Sequence, residues 1–342
     1  MTQEAPLPSP HLETDLWRWL LFESGLSRRR AREIILQGAQ SNALSLFWQA
    51  GAAILAQQLE LAPDEAKRME AARANWPQIQ RKFEMERRSG VVTLRLNESG
   101  YPDTLNRFLP PERRPLLLFL RGETELLDLP MVLPVAETPP ADTDWALTTL
   151  AELTTEGALA LLIARAGFEA RAARVFLDAH APFVLVVPQG LAAYSPPAGL
   201  QKALDENRVL LISPFQPDWQ PPHNAPNPML PHASGFARVL AHALLALTGP
   251  APEPASGQPC FRGPDCADCE RCPDVYDGAE SFFLRLAEAA APIPPITTTT
   301  TPTPHPDLPP PSPEEILSTL TQGGKIPPAL AARLKNNPQT KH

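Results

Sequence analysis

The chain has 342 residues, 43 of them proline, and its 30 Lys and Arg against 38 Asp and Glu leave a formal charge of −8. That length allows two domains and a tail, while the acidity excludes a molecule held to nucleic acid by bulk charge alone, because phosphate binding needs clustered Lys and Arg. No apolar run approaches the ~20 residues of a membrane span, the start MTQEAPLPSPHLETD lacks a basic stretch ahead of an apolar one, and all four cysteines fall between Cys260 and Cys272, so a cytoplasmic, reducing setting is expected.

From Leu12 to about Glu86 the apolar residues recur at helical spacing, as in Leu16, Leu20 and Leu21 and again in Ile34 and Ile35. Gly25-Leu26-Ser27 breaks the first helix, and Ser27 is placed to cap a second that begins RRRAREIIL. A further helical pair follows around ALSLFWQAG and PDEAKRMEAARANWPQIQRKFE. Residues 12–88 therefore read as one helical module of SAM-like or helix-hairpin-helix-like type. Its basic run of Arg28, Arg29, Arg30 and Arg32 is accompanied by a single hairpin glycine, Gly25, which is little for a phosphate-binding hairpin.

After Ser89-Gly90 the texture becomes short apolar runs: VVTLRL, LLLFLRG, MVLPVA, ALALLIA, FVLVVP and VLLISPF. With helices expected at Trp145 to Thr155, Glu169 to Ala179 and Leu200 to Asn207, this is the pattern of a parallel sheet buried on both faces, an α/β domain over residues 89–248. Gly235 to Leu247 reads as its last helix, or as a strand and helix remnant. Residues 249–311 are a proline-rich linker interrupted by the cysteines and by a possible short helix, SFFLRLAEAA; Pro292 to Pro313 is expected to be disordered. Residues 312–342 read as a short helical segment, with Ser312 and Glu315 as a capping box.

The sharpest local chemistry is Cys260-x5-Cys266-x2-Cys269-x2-Cys272. Four soft thiolates this close can surround one tetrahedral Zn²⁺ or anchor an iron–sulfur cluster, and free or disulfide-paired thiols are the remaining alternative. A structural zinc knuckle is preferred, because the Pro, Gly and Asp around it leave little apolar core and metal would be what folds the patch. No nucleotide cofactor is expected. No HExxH, Gly-x-Ser-x-Gly, phosphate-binding loop or paired carboxylates are present, so the chain reads as non-enzymatic; His242 in an apolar stretch reads as structural.

At the end of FVLVVPQGLAAYSPP the strand stops at Gln189-Gly190, with Tyr194 ahead of Pro196-Pro197. Ligands of open α/β sheets bind beyond the strand ends, so Tyr194 either stacks on a base or packs under the proline corner. Arg165, Arg171 and Arg174 form the best basic group on the sheet side, with Gly167 in the turn beside them as a further candidate, and they either track a DNA backbone or make an ordinary solvated helix face.

The order of these features resembles the DNA-processing protein A (DprA, or Smf) family over roughly Leu12 to Leu247. The resemblance is carried by the Gly25-Leu26 break, the element Ser99-Gly100-Tyr101-Pro102-x-x-Leu105, the strand LLLFLRGE, and the stretch from Phe183 to Leu200. It implies a Rossmann-like domain that binds incoming single-stranded DNA during transformation and helps load the recombinase onto it, without covalent chemistry and with a possible homodimer. In such proteins a Gly-Ser-Arg turn, a Ser-Gly-Leu-Ala-x-Gly-Ile-Asp turn and an Arg-Asn-Arg segment serve the nucleic acid. Here they are replaced by Pro134-Val135-Ala136-Glu137-Thr138, by Ile163-Ala164-Arg165-Ala166-Gly167-Phe168-Glu169, and by a stretch around His232 to Arg238 with no basic triplet. Losing glycine amides and several cations together weakens a phosphate site, so a degenerate DNA site, or an interaction protein that has lost DNA binding, is expected.

Overall fold

The computed structural model describes residues 11–39, 57, 59–136, 140, 142–223, 225–248, 253–264, 266, 272 and 274–290. The expected helix at ALSLFWQAG, the proline-rich stretch from Pro292, the segment 312–342 and Cys269 lie outside the described residues. In the helical module, α1 (Leu12–Phe22), α2 (Arg28–Ala39), α3 (Pro63–Ala74) and α4 (Trp76–Arg88) form where the spacing places them. Leu16, Trp17, Trp19 and Leu20 of α1 face inward.

So does a charge. Arg18 is 2% exposed, pairs with the buried Glu86 of α4, and lies 3.8 Å from the ring centre of Phe83 and 5.6 Å from that of Phe119 in the sheet. Burial pulls the guanidinium below its ordinary value and the Glu86 carboxyl above its own; the ion pair opposes both. Arg87 holds Asp15 at 2.7 Å, and Arg95 on the first strand holds Glu13 of α1 at 2.7 Å. A charged seam thus joins α1 to α4 and to the sheet, and truncating one member of such a buried pair leaves the other uncompensated.

The strands are β1 (Val92–Arg95), β2 (Leu117–Gly122), β3 (Met131–Ala136), β4 (Leu159–Ile163), β5 (Phe183–Val186), β6 (Val209–Ser213), β7 (Ala243–Thr248), β8 (Cys260–Arg262) and β9 (Asp274–Val275). They build one nine-stranded sheet in the order β1-β2-β6-β5-β4-β3-β7-β8-β9. The helices are α5 (Asp103–Phe108), α6 (Thr143–Thr155), α7 (Phe168–Asp178), α8 (Ala198–Asp205), α9 (Leu230–Leu240) and α10 (Ala279–Ala290). The α/β class holds, with three corrections of detail.

First, the sheet is not wholly parallel: β1 runs antiparallel to β2, and β2 antiparallel to β6. The link between β1 and β2, through α5 and the 3-10 turn Pro111–Arg113, brings the chain back beside β1 in the opposite direction. Second, Gly235 to Leu247 is neither one helix nor a remnant. It breaks at Ala241-His242 into α9 and the fully buried β7, which pairs with β3 in mid-sheet. Third, the sheet does not stop at residue 248. β8 and β9 extend it in parallel beyond β7, and Phe261 packs on Phe282 of α10 with ring centres 5.1 Å apart. The Pro, Gly and Asp of the expected linker hide the aromatic residues that make this extension a packed element.

The helices α6, α7 and α8 carry the chain stepwise from β3 to β6, and α9 then returns it to the other side of β3. Right-handed crossovers in opposite directions put α9 on the face opposite α6, α7 and α8. There Thr104 Oγ1 of α5 donates to the Leu240 carbonyl at 3.0 Å. The strand order reverses between β3 and β7, so the switch point where such sheets bind ligands lies at the carboxyl ends of those two strands.

His242 pins the other end of the same pair. Its N–H donates to the Met131 carbonyl at 2.8 Å, and its Nδ1 accepts from the Met131 N–H at 3.0 Å. Burial first, and the Arg107 charge second, push its pKa down to about 4. The folded state therefore keeps this imidazole neutral while the unfolded chain takes up a proton near 6.5. The stabilisation is whole above that pH and is lost as pH falls towards 4, with a magnitude of up to about 3 kcal/mol. A His242→Asn variant, whose Oδ1 can still accept from Met131, should lose this part of the acid dependence; urea titrations of both proteins between pH 7 and pH 4 would measure the difference.

Candidate nucleic-acid interface

The carboxyl ends of β4 and β5 stand side by side, Ile163 opposite Val186 in register. From β4 the chain turns through Arg165 and Gly167 into α7. Gly167 has φ +101°, a conformation that strains any other residue, and the position where a Cβ would sit is open space. Arg165 Nε donates to Glu169 Oε1 at 2.7 Å, and Glu169 is 3% exposed. The cation is thereby committed to a buried carboxylate one helical turn away.

Arg171 and Arg174 stand on the solvent side of α7, with side chains 58% and 85% exposed. They meet Asp144 at 3.1 Å and Asp178 at 3.9 Å. Pairs this exposed are worth little and can be exchanged for other partners, whereas the Arg165 pair cannot be given up without leaving Glu169 buried and uncompensated.

From β5 the chain runs into Gln189-Gly190, which the rest of the protein covers. The Gly190 N–H donates to the Trp219 carbonyl at 2.9 Å, and the Ala192 and Ala193 N–H groups donate to the Pro217 carbonyl at 2.9 and 3.1 Å. Ser213 Oγ donates to the Gln189 carbonyl at 2.7 Å, and Asn227 Nδ2 donates to the Pro188 carbonyl at 2.8 Å. A Cβ on Gly190 would collide with the carbonyl oxygens of Gln216 and Pro217. Gly190 thus admits the protein's own backbone at the point where a phosphate would approach. Tyr194 is half-buried, and burial raises its phenol above the ordinary value; it packs against the core.

The covering loop is held from behind by the helical module. Lys82 Nζ of α4 bridges Glu23 and Asp218, each at 2.8 Å. Burial lowers the Lys82 pKa, but hydrogen bonds to the two carboxylates outweigh it and leave the ammonium above its usual value.

Beside the switch point, α6 begins with Asp142 accepting from the Trp145 N–H at 2.8 Å. The Trp145 ring lies against Gly263, where a Cβ would come within 2.7 Å of it, and edge-on to Tyr276 at 6.2 Å between ring centres. Tyr276 donates to Glu152 at 3.3 Å. The C-terminal extension therefore closes on α6 at the carboxyl edge of the sheet.

The structure brings Arg165, Gly167, Gln189 and Gly190 together on neighbouring strand tips, with Arg171 and Arg174 further along α7. It sets the cysteines apart. Cys260 opens β8 opposite the amino half of β7, and Cys272 precedes β9 by two residues. Cys260 and Cys272 are disulfide-bonded, with Cα atoms 4.8 Å apart, which removes two of the expected thiolates in this form. Sequence reading missed Trp145, the 213–219 loop and the Lys82 bridge. Asp142 three residues before Trp145 is a capping signal that marks the start of α6, and Pro217-Asp218 marks a turn, but nothing local announces that this turn covers Gly190.

No protein-family model matches the chain, and no curated protein matches it. The fold is similar to the X-ray structure of DNA processing protein A (DprA) from Streptococcus pneumoniae, with a TM-score of 0.55 and 16% identity over 79% of this chain and 92% of that one. The fold is DprA-like. A second similar structure is that of DNA processing protein A from Helicobacter pylori, described for its single-stranded DNA binding mode, at a TM-score of 0.43 and 17% identity over 58% of this chain and 96% of that one. Within the DprA-like fold, the Gly190 turn has no room for a side chain. Gly190→Ala should destabilise by about 1–3 kcal/mol through overpacking. The control is Gly235→Ala in α9, where a Cβ meets nothing within 4 Å. It should be neutral or stabilise by up to about 1 kcal/mol through helix propensity; urea midpoints of the two variants would give the contrast.

Proposed function

We propose that this chain is a DprA-like single-stranded DNA-binding protein acting in DNA uptake and recombination, including recombinase loading, through a reduced binding edge and without covalent chemistry. The observation that carries the reading is the DprA-like fold, a helical module on a sheet whose β4 and β5 tips adjoin the exposed Arg171 and Arg174. Those two arginines lie three apart on α7, so they can follow successive phosphates. The strand-tip amides that would normally add to such a site are occupied here, so binding rests on few cations. Modest affinity with a shallow salt dependence follows.

A second reading is favoured by one specific feature, the closure of Gly190 under Gln216 to Trp219. On that reading the edge is inert towards DNA and the chain is a non-catalytic interaction protein.

Fluorescence anisotropy with a labelled thymidine oligonucleotide at low and moderate salt separates the two. The DNA-binding reading expects micromolar association that weakens with salt. Arg171→Ala/Arg174→Ala should then weaken it and reduce the salt slope by about two. No association at micromolar protein in low salt would leave the interaction reading standing.

A further inference from the structure

The chain's four cysteines lie in the segment that extends the sheet. β8 has three residues and β9 two, so few ladder hydrogen bonds hold β9 in place. Around them the sequence FRGPDCADCERCPD is polar and turn-forming, yet Cys260 and Cys266 are 3% exposed and Cys272 is fully buried. The aromatic residues pack β8 and α10, and buried cysteines in the polar connection between β8 and β9 point to sulfur chemistry as what organises that connection.

The placement suits one soft metal ion. Cys260 at the start of β8 and Cys272, two residues before β9, bring their Cα atoms within 4.8 Å. Cys266 sits in the connection between those strands, where its N–H donates to the Gly263 carbonyl at 3.1 Å in a tight turn. In the disulfide form, no three His, Cys, Asp or Glu side chains among the described residues make a group able to hold a metal. Reducing that one bond changes the inventory, because it returns two thiols to the short stretch of chain that also holds Cys266. Thiolates select zinc over hard cations such as Mg²⁺ and Ca²⁺, which require oxygen donors.

We propose that the reduced form of this segment is a structural zinc–thiolate site built on Cys260, Cys266 and Cys272, and that the Cys260–Cys272 disulfide is its oxidised, metal-free form. The interconversion balances with a small-molecule thiol as reductant. Two R–SH molecules give two electrons and two protons to the Cys260–Cys272 bond and leave as one R–S–S–R. Zinc then displaces one proton from each cysteine that it ligates. Cys269 lies outside the described residues, and its share is read from a variant. The site is remote from the strand tips of β4 and β5 and is independent of the DNA reading.

The test uses the full chain, purified under reducing conditions without chelator. Elemental analysis should give on the order of one zinc per chain. Cobalt substituted for zinc should show sulfur-to-cobalt charge-transfer absorption and the visible bands of a tetrahedral ion. This measurement needs no mutation, so it stands even if a variant fails to fold. Oxidation with diamide should expel the metal, and Cys266→Ser should weaken its retention about tenfold or more against a competing chelator. Cys269→Ser reports whether a fourth thiolate takes part. The proposal is overturned if reduced, zinc-reconstituted protein holds no metal and its cobalt form lacks the sulfur bands. Iron with acid-labile sulfide in place of zinc overturns it too, as does zinc retention unchanged in Cys260→Ser, Cys266→Ser and Cys272→Ser alike. None of these readouts involves DNA, so failure here and failure of the DNA reading are separate results.

Discussion

Every backbone N–H at the tip of a buried parallel strand has to find an acceptor, and in this molecule the choice of acceptor governs what the sheet can do. In nucleotide-binding sheets those groups wait for phosphate. Here the N–H groups of Gly190, Ala192 and Ala193 are given to the carbonyls of Trp219 and Pro217. The donors are satisfied without a ligand, and a phosphate would have to displace formed hydrogen bonds before making its own. Gly190 keeps the same steric freedom that a phosphate turn requires, but it uses that freedom to admit its own chain.

The exchange involves more than one loop. Lys82 ties the covering turn at Asp218 to Glu23 in the helical module, so the module helps to fix the turn over the β5 tip. That module is in turn fastened to the sheet by Arg18, whose guanidinium lies between Phe83 of α4 and Phe119 of β2 while paired with Glu86. A buried pair of this kind is a poor source of net stability but a strict one of geometry, since any other packing leaves two charges unpaired in an apolar setting. Opening the Gly190 turn therefore works against contacts that run back to α1.

The parts of the fold written in local pattern were legible in the sequence. Continuous apolar runs such as FVLVVP and ALALLIA could only be strands buried on both faces, and the three helices between them fell within a few residues of their places. What escaped depended on partners far along the chain. The antiparallel direction of β1 and β2 is set by what they pair with, and β7 was concealed because FARVLAHALLALT fits a helix until Met131 claims both His242 groups. At the candidate site the glycines and arginines were named from their types and positions. Their commitments to Glu169, Asp144 and the 213–219 loop were not, because ion pairs and covering loops leave no periodic signal.

The same logic reaches the C-terminal extension. Gly263 has no room for a side chain because Trp145 fills the space, and Tyr276, just after β9, closes on Trp145. The switch point between β3 and β7 is thus flanked by aromatic packing from a segment that the composition describes as a linker. Such packing ties α6 to the end of β8. At the β5 tip, the described donors are turned towards internal cohesion. Arg171 and Arg174 on the outer face of α7, by contrast, stay exposed and only loosely paired, so they can exchange partners where the amides of the β5 tip cannot.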